Sequence, residues 1–239
     1  MMSQKTEEKK YEQLRKLGQE LHIPIPEHFI ELEVTDKDGK VIQHLKQRSH
    51  SWVRNAYNLL LSQMASKNLD SGAGEYGAGY LSIKDMLGVI KRGTSGFSIG
   101  ESSYSFESLT YLYGYISGAT DDGHGILVGS DATAESFEDF ELLAQIAEGT
   151  AAGQLNHMAM DYPSKSYAAL TWTITWLRYL NNNSPGNVDV NEVGLVPKGH
   201  SFLGAFSFMM SRDKLGATVT IPATGQLKVT YTIELTYPA

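Results

Sequence analysis

The sequence predicts a mainly β protein, an antiparallel β-sandwich with an N-terminal helical arm and one or two packed helices. Three observations carry this. Leu170, Trp172, Ile174 and Trp176 alternate with Thr171, Thr173 and Thr175, and Leu227, Val229, Tyr231, Ile233 and Leu235 repeat the same two-residue period, so each strand has one buried face. From residue 81 onward, short apolar runs (81–90, 97–99, 109–116, 125–129, 154–160, 167–180, 188–196, 202–210 and 217–236) are separated by turn residues such as Asn181-Asn182-Asn183-Ser184-Pro185-Gly186 and Ala223-Thr224-Gly225. Glycine (23) and tyrosine (13) are abundant among 239 residues, and a hydrophobic share of 41% is enough to fill a core. No repeat of 20–50 residues is visible, which argues against propellers and solenoids.

Each element has its own warrant. Thr6 to Leu21 reads as a helix, because Tyr11, Leu14, Leu17 and Leu21 draw one narrow apolar stripe and Glu7 and Glu8 sit at its positive end. Ile23-Pro24-Ile25-Pro26 forbids helix and forces an extended connector. Residues 28–46 read as a hairpin, with Ile30, Leu32 and Val34 on one face, Phe29, Glu31 and Glu33 on the other, a turn at Asp36-Lys37-Asp38-Gly39, and Val41, Ile42 and Leu45 on the return. Residues 51–67 read as a second helix, through Trp52, Val53, Ala56, Leu59, Leu60 and Met64, capped by Ser49 or Ser51. Ser136 to Leu143 reads as a short helix, capped by Ser136 with Glu138 and Asp139 in its first turn. The expected division is a helical arm and connector over 1–26, then a sandwich domain over 27–239 with inserted helices at 51–67 and 136–143.

Charge and composition narrow the function. Residues 121–161 hold nine acidic and no basic side chains, which accounts for the net charge of −7. Phosphate binding wants the opposite sign, so no nucleic-acid partner is expected. A divalent cation in this window is the alternative to a solvated loop, but no EF-hand spacing is present. The lack of cysteine removes disulfides, thiolate chemistry and Cys-based zinc sites. No run of about 20 apolar residues occurs, and the N-terminus lacks an apolar signal core, so a soluble protein made in the cytoplasm without membrane insertion is expected.

Motifs for chemistry are sparse. Gly72, Gly74 and Gly77 match G-x-G-x-x-G, but between a helix and a strand, the reverse of a dinucleotide loop. The seven histidines form no H-E-x-x-H, and Asp122-Gly123-His124 is the one His–acid cluster, read as a solvated turn with metal binding as the less favoured alternative. Ser105, Ser130 and Ser207 lie in no nucleophile elbow. No catalytic, cofactor or metal residues are assigned. Tyr11, Leu14, Leu17 and Leu21 are assigned to a subunit interface on the arm. Tyr111, Tyr113 and Tyr115, with Tyr76, Tyr80 and Tyr104, are candidates for surface recognition.

A resemblance rests on Gly125-Ile126-Leu127-Val128-Gly129-Ser130-Asp131, Phe137-Glu138-Asp139-Phe140-Glu141-Leu142, Gln145-Ile146-Ala147-Glu148-Gly149, Asn181-Asn182-Asn183-Ser184, Val190-Asn191-Glu192-Val193-Gly194-Leu195, Arg212-Asp213-Lys214-Leu215, Val219-Thr220-Ile221-Pro222 and Leu227-Lys228-Val229-Thr230-Tyr231-Thr232-Ile233. Over roughly 123–236 the chain resembles virion structural proteins of tailed bacteriophages, encoded among tail and fibre genes. The resemblance implies a β-sandwich, no enzyme activity, no cofactor, self-association, other virion proteins as partners and a place in the virion (tail, neck or fibre attachment). A capsid decoration protein and a receptor- or host-glycan-binding module are the alternatives, and a glycan depolymerase built on two distant acids is the least favoured.

Overall fold

The computed structural model describes residues 4–65, 82–91, 114–201 and 204–238. Within them the chain is mainly β, and every strand ladder is antiparallel. Helix α1 (Gln4–Glu20) leads into the hairpin β1 (Ile25–Thr35) and β2 (Val41–Ser49), followed by α2 (Arg54–Ala65) and the small strands β3 (Ile83–Lys84) and β4 (Ile90–Lys91). Then come β5 (Gly125–Gly129), β6 (Asn156–His157), β7 (Ser164–Ala168), β8 (Thr171–Asn181), β9 (Val188–Val196), β10 (Lys198–Ser201), β11 (Gly204–Ser207), β12 (Ser211–Ile221) and β13 (Gln226–Thr236). The larger sheet runs β2-β1-β13-β8-β6, with β7 sharing the same edge of β8; the smaller runs β12-β9-β5.

The core lies between these two sheets, as the two-residue periods require. Register places Ile30, Tyr231 and Trp176 in one inward row, Leu32, Val229 and Arg178 in the next, and Val34, Leu227 and Leu180 in a third. They pack against Ile126 and Val128 of β5, Val190, Val193 and Leu195 of β9, and Val219 and Ile221 of β12. After β5, β8 and β12 the chain crosses between the two sheets. Buried Asn182 ties the last two of these crossings, donating to the carbonyls of Gly186 and Ile221 at 2.8 Å each and accepting from Ser184.

The structure departs from the sequence-based expectation at three places. The run 167–180 is two strands joined by a tight turn, with Ala169 and Leu170 at φ 46° and 64°. Neither residue is Gly, Asn or Asp, so the usual turn signal is missing. Ser136 to Leu143 is not helical. Asp139 instead accepts from the Ser136 N–H and from Arg212 (2.9 Å), while Leu142 is buried; eight residues of helix are too few to resist such contacts. The Ser49 hydroxyl faces inward rather than capping α2, which begins after Val53. The returning strand forms where the hairpin pattern puts it, as β2, which exposes Val41 and Ile42 and turns Gln43, Leu45, Gln47 and Ser49 inward. The glycine-rich 70–80 segment, the run 97–99 and most of 109–116 lie outside the described residues.

Candidate functional site

The two sheets are stitched along one side by β2 and β12, the edge strands that face each other there. β12 bulges between Lys214 and Val219, and the bulge leaves backbone groups without ladder partners. Two side-chain amides of β2 satisfy them. Gln43 donates to the Thr218 carbonyl (2.8 Å) and accepts from the Thr220 N–H (3.0 Å); Gln47 donates to the Lys214 carbonyl (2.9 Å) and accepts from the Gly216 N–H (2.8 Å). These contacts explain why β2 carries glutamines on its inner face.

The seam ends in a buried polar cluster. Ser49 donates to Asp213 Oδ2 at 2.8 Å, and the His50 N–H reaches Oδ1 at 3.2 Å. Tyr231 Oη lies 2.7 Å from Ser49 Oγ and 3.1 Å from Ser211 Oγ, and accepts from Trp52 Nε1 at 3.3 Å. With the Ser49 proton committed to Asp213, Tyr231 donates to Ser49 and Ser211 donates to Tyr231. Burial pushes the Asp213 carboxyl up to about 6, against the hydrogen bonds from Ser49 and His50, and burial also raises the Tyr231 phenol. His50 is exposed above Asp213, with Glu135 half-buried beside it. Trp52 stacks on His28 at 4.5 Å, and burial holds that imidazole down to about 4.

Two fully buried arginines fix the loops. Arg212 forms a 2.6 Å pair with Glu192, which is equally buried, and a 2.9 Å pair with Asp139. It also donates to the carbonyls of Thr133 and Ala134. Arg178 donates instead to four carbonyls, those of Met158, His124, Ile126 and Asp121, and burial lowers it to about 10. The acidic window is spent in the same way. Asp121 pairs with His124 at 3.1 Å and accepts from the Gly123 N–H, which together hold its carboxyl down to about 2. Asp122 accepts from the Glu148 N–H, and Glu148 from Asn156 and the His157 N–H. The carboxylates predicted to be solvated therefore hold loop backbone in place.

The arm folds onto the outer face of its own sheet. Glu8, Tyr11, Arg15 and Gly18 form the docked face of α1. Arg15 and Arg48 both pair with Glu8 and with buried Glu27 at 2.6–2.9 Å, and Arg48 lies 3.9 Å above the Tyr11 ring. Tyr11 is thus inside this contact, while Leu14, Leu17 and Leu21 point outward and are exposed. Tyr115 is half-buried on the core, 5.0 Å from Trp176, and so is not part of a surface platform; Tyr111 and Tyr113, like Tyr76, Tyr80 and Tyr104, lie outside the described residues.

An exposed aromatic surface lies elsewhere. Beyond buried Tyr231 and Trp176 the inner row continues to half-buried Ile233 and Ile174, then to Leu235, Trp172 and Tyr167. Trp172 is 42% and Tyr167 50% exposed; Tyr167 lies 5.2 Å from Trp172 and 6.5 Å from Tyr237. Alternation assigns Trp172 to the inner face correctly, but only the gradient of cover along the strand shows that it is open. The Asp213 cluster had no sequence signal, because Ser49 and His50 lie more than 160 residues from the Asp213 they contact. No family model, curated protein or solved structure matches this chain.

Proposed function

We propose that this chain is a non-enzymatic structural subunit that works by surface contact in a larger assembly. The resemblance over 123–236 suggests the virion of a tailed bacteriophage as that assembly. One observation carries the reading: a contiguous aromatic surface at the uncovered end of the larger sheet, formed by Tyr167, Trp172 and Tyr237, with Leu170 at the adjoining turn. Isolated apolar residues are ordinary on a surface, whereas a connected group of this kind marks a contact site. Leu170 is presented there on a positive-φ backbone, a conformation costly for leucine. Leu14, Leu17 and Leu21 supply a second outward stripe on a helix already anchored to its own domain by charge.

Light scattering over a concentration series, followed by labelling of assembled particles, tests this. Association should be lost when Tyr167 and Trp172 are both replaced by Ser, and weakened when Leu14, Leu17 and Leu21 are. A chain that stays monomeric at all concentrations, together with complete and infectious particles made without it, would defeat the proposal. The same aromatic cluster favours one second reading, host-glycan binding, since sugar rings stack on Trp and Tyr. A glycan array on which the Ser variants lose binding would shift the reading to a receptor-binding module.

A further inference from the structure

Three side chains from separate segments meet at the end of the β2–β12 seam: His50 just after β2, Glu135 in the loop over the smaller sheet, and Asp213 within β12. One nitrogen or oxygen from each lies within 4.8 Å of the others. Asp213 forms the buried floor of this well, Glu135 its half-buried wall and His50 its exposed rim. Among the described residues no Lys or Arg forms an ion pair with either carboxylate. Arg212, next to Asp213, is on the opposite face of β12 and committed to Glu192 and Asp139. A buried carboxylate facing a second carboxylate with no fixed cation lacks the partner that buried charge requires.

We propose that His50, Glu135 and Asp213 are a three-ligand site for a divalent transition-metal ion, with zinc the best match and water completing the coordination. The donor set selects the metal class. Imidazole with two carboxylates suits zinc and its neighbours, whereas calcium takes six to eight oxygen ligands and magnesium a near-ideal octahedron of them. Outer contacts already orient the two acids. Ser49 and the His50 N–H hold Asp213, and the Lys214 N–H donates to Glu135 Oε1 at 3.1 Å. Ligand carboxylates are commonly fixed by such partners. Tetrahedral zinc with bonds of about 2.0–2.2 Å brings ligand atoms to about 3.4 Å apart. That contraction requires the exposed His50 and half-buried Glu135 side chains to close on Asp213. The ion would pin the loop that carries Glu135 to the junction of the two sheets, a role separate from surface contact.

Titration of the untagged full chain with zinc chloride in a non-chelating buffer, followed by calorimetry, tests the site. One zinc per chain is expected, with a melting temperature that rises on zinc addition. His50→Ala and Glu135→Gln, both at solvent-facing positions, should each weaken binding beyond the roughly 10–100-fold typical of a lost outer partner, and Ser49→Ala within that range. Circular dichroism checks that each variant is folded. No binding heat, or zinc binding unchanged in both ligand variants, overturns the site. Magnesium bound as tightly as zinc overturns the assignment of metal class.

Discussion

Arg178 and Arg212 are equally buried but are satisfied in opposite ways. Arg212 is neutralised by Glu192 and Asp139, whereas Arg178 keeps its charge among carbonyl dipoles, with Asp121, Asp122 and Glu148 acting from a distance. Arg178→Met should therefore leave four carbonyls without donors and cost at least about 3 kcal/mol in urea unfolding. Arg178→Lys should recover little, because an ammonium lacks the planar fork. Glu192 imposes its own requirement: a Cβ at Gly129 would collide with its carboxylate, so that strand position admits only glycine. His157 is buried beside Arg178, Glu148, Asp122 and Asp121, and neither ring nitrogen has a well-formed hydrogen bond. Burial, then the Arg178 charge, holds it down to about 4, against an ordinary value of 6.5. Between these values the unfolded chain takes up a proton that the folded chain refuses. The stabilising contribution is complete above about pH 6.5 and is lost as pH falls toward 4. His157→Asn should remove its share of that pH dependence and leave the share of His28, which burial also holds down to about 4, measured by denaturant midpoints at successive pH values.

At the scale of elements, the strands with one clean apolar face were legible from sequence. Ile30, Leu32 and Val34 in β1, and Leu227, Val229 and Tyr231 in β13, are buried where alternation puts them. Elements whose shape is set by distant partners were not. The Ser136 segment follows Arg212 and Glu192, and the glutamines of β2 make sense only beside the bulge in β12. The β7–β8 turn was hidden because Ala169 and Leu170 adopt a conformation that Asn-Gly would signal. Replacing them with Asn-Gly should stabilise the chain by about 1–2 kcal/mol in thermal or urea unfolding. If the turn is kept strained to present Leu170, the same replacement should weaken association by light scattering. A gain in stability with association unchanged would mean that Leu170 takes no part in the contact.

At the scale of the molecule, the sandwich is held by different means on its two sides. Gln43, Gln47 and Ser49 join the sheets at the β2–β12 side, and Arg178 reaches from β8 to the Ile126 carbonyl of β5 at the other. Between them, β13 is the central strand of the larger sheet, pairing with β1 from Ile25↔Thr236 to Thr35↔Gln226 and with β8 along its whole length. Sheets built on such distant pairings close slowly, since chain entropy is lost before the contacts form. Order of synthesis adds to this. On the ribosome, β1 and β8 emerge with unpaired edges, and the strand that belongs between them is translated after every other strand described. Ribosome-stalled chains ending before Gln226 should remain protease-sensitive, with resistance appearing only once Thr236 has cleared the exit tunnel. The fold would then act as its own proofreader: a message cut short upstream of β13 yields no stable sandwich, so a truncated copy is degraded instead of competing with intact copies for a place in an assembly.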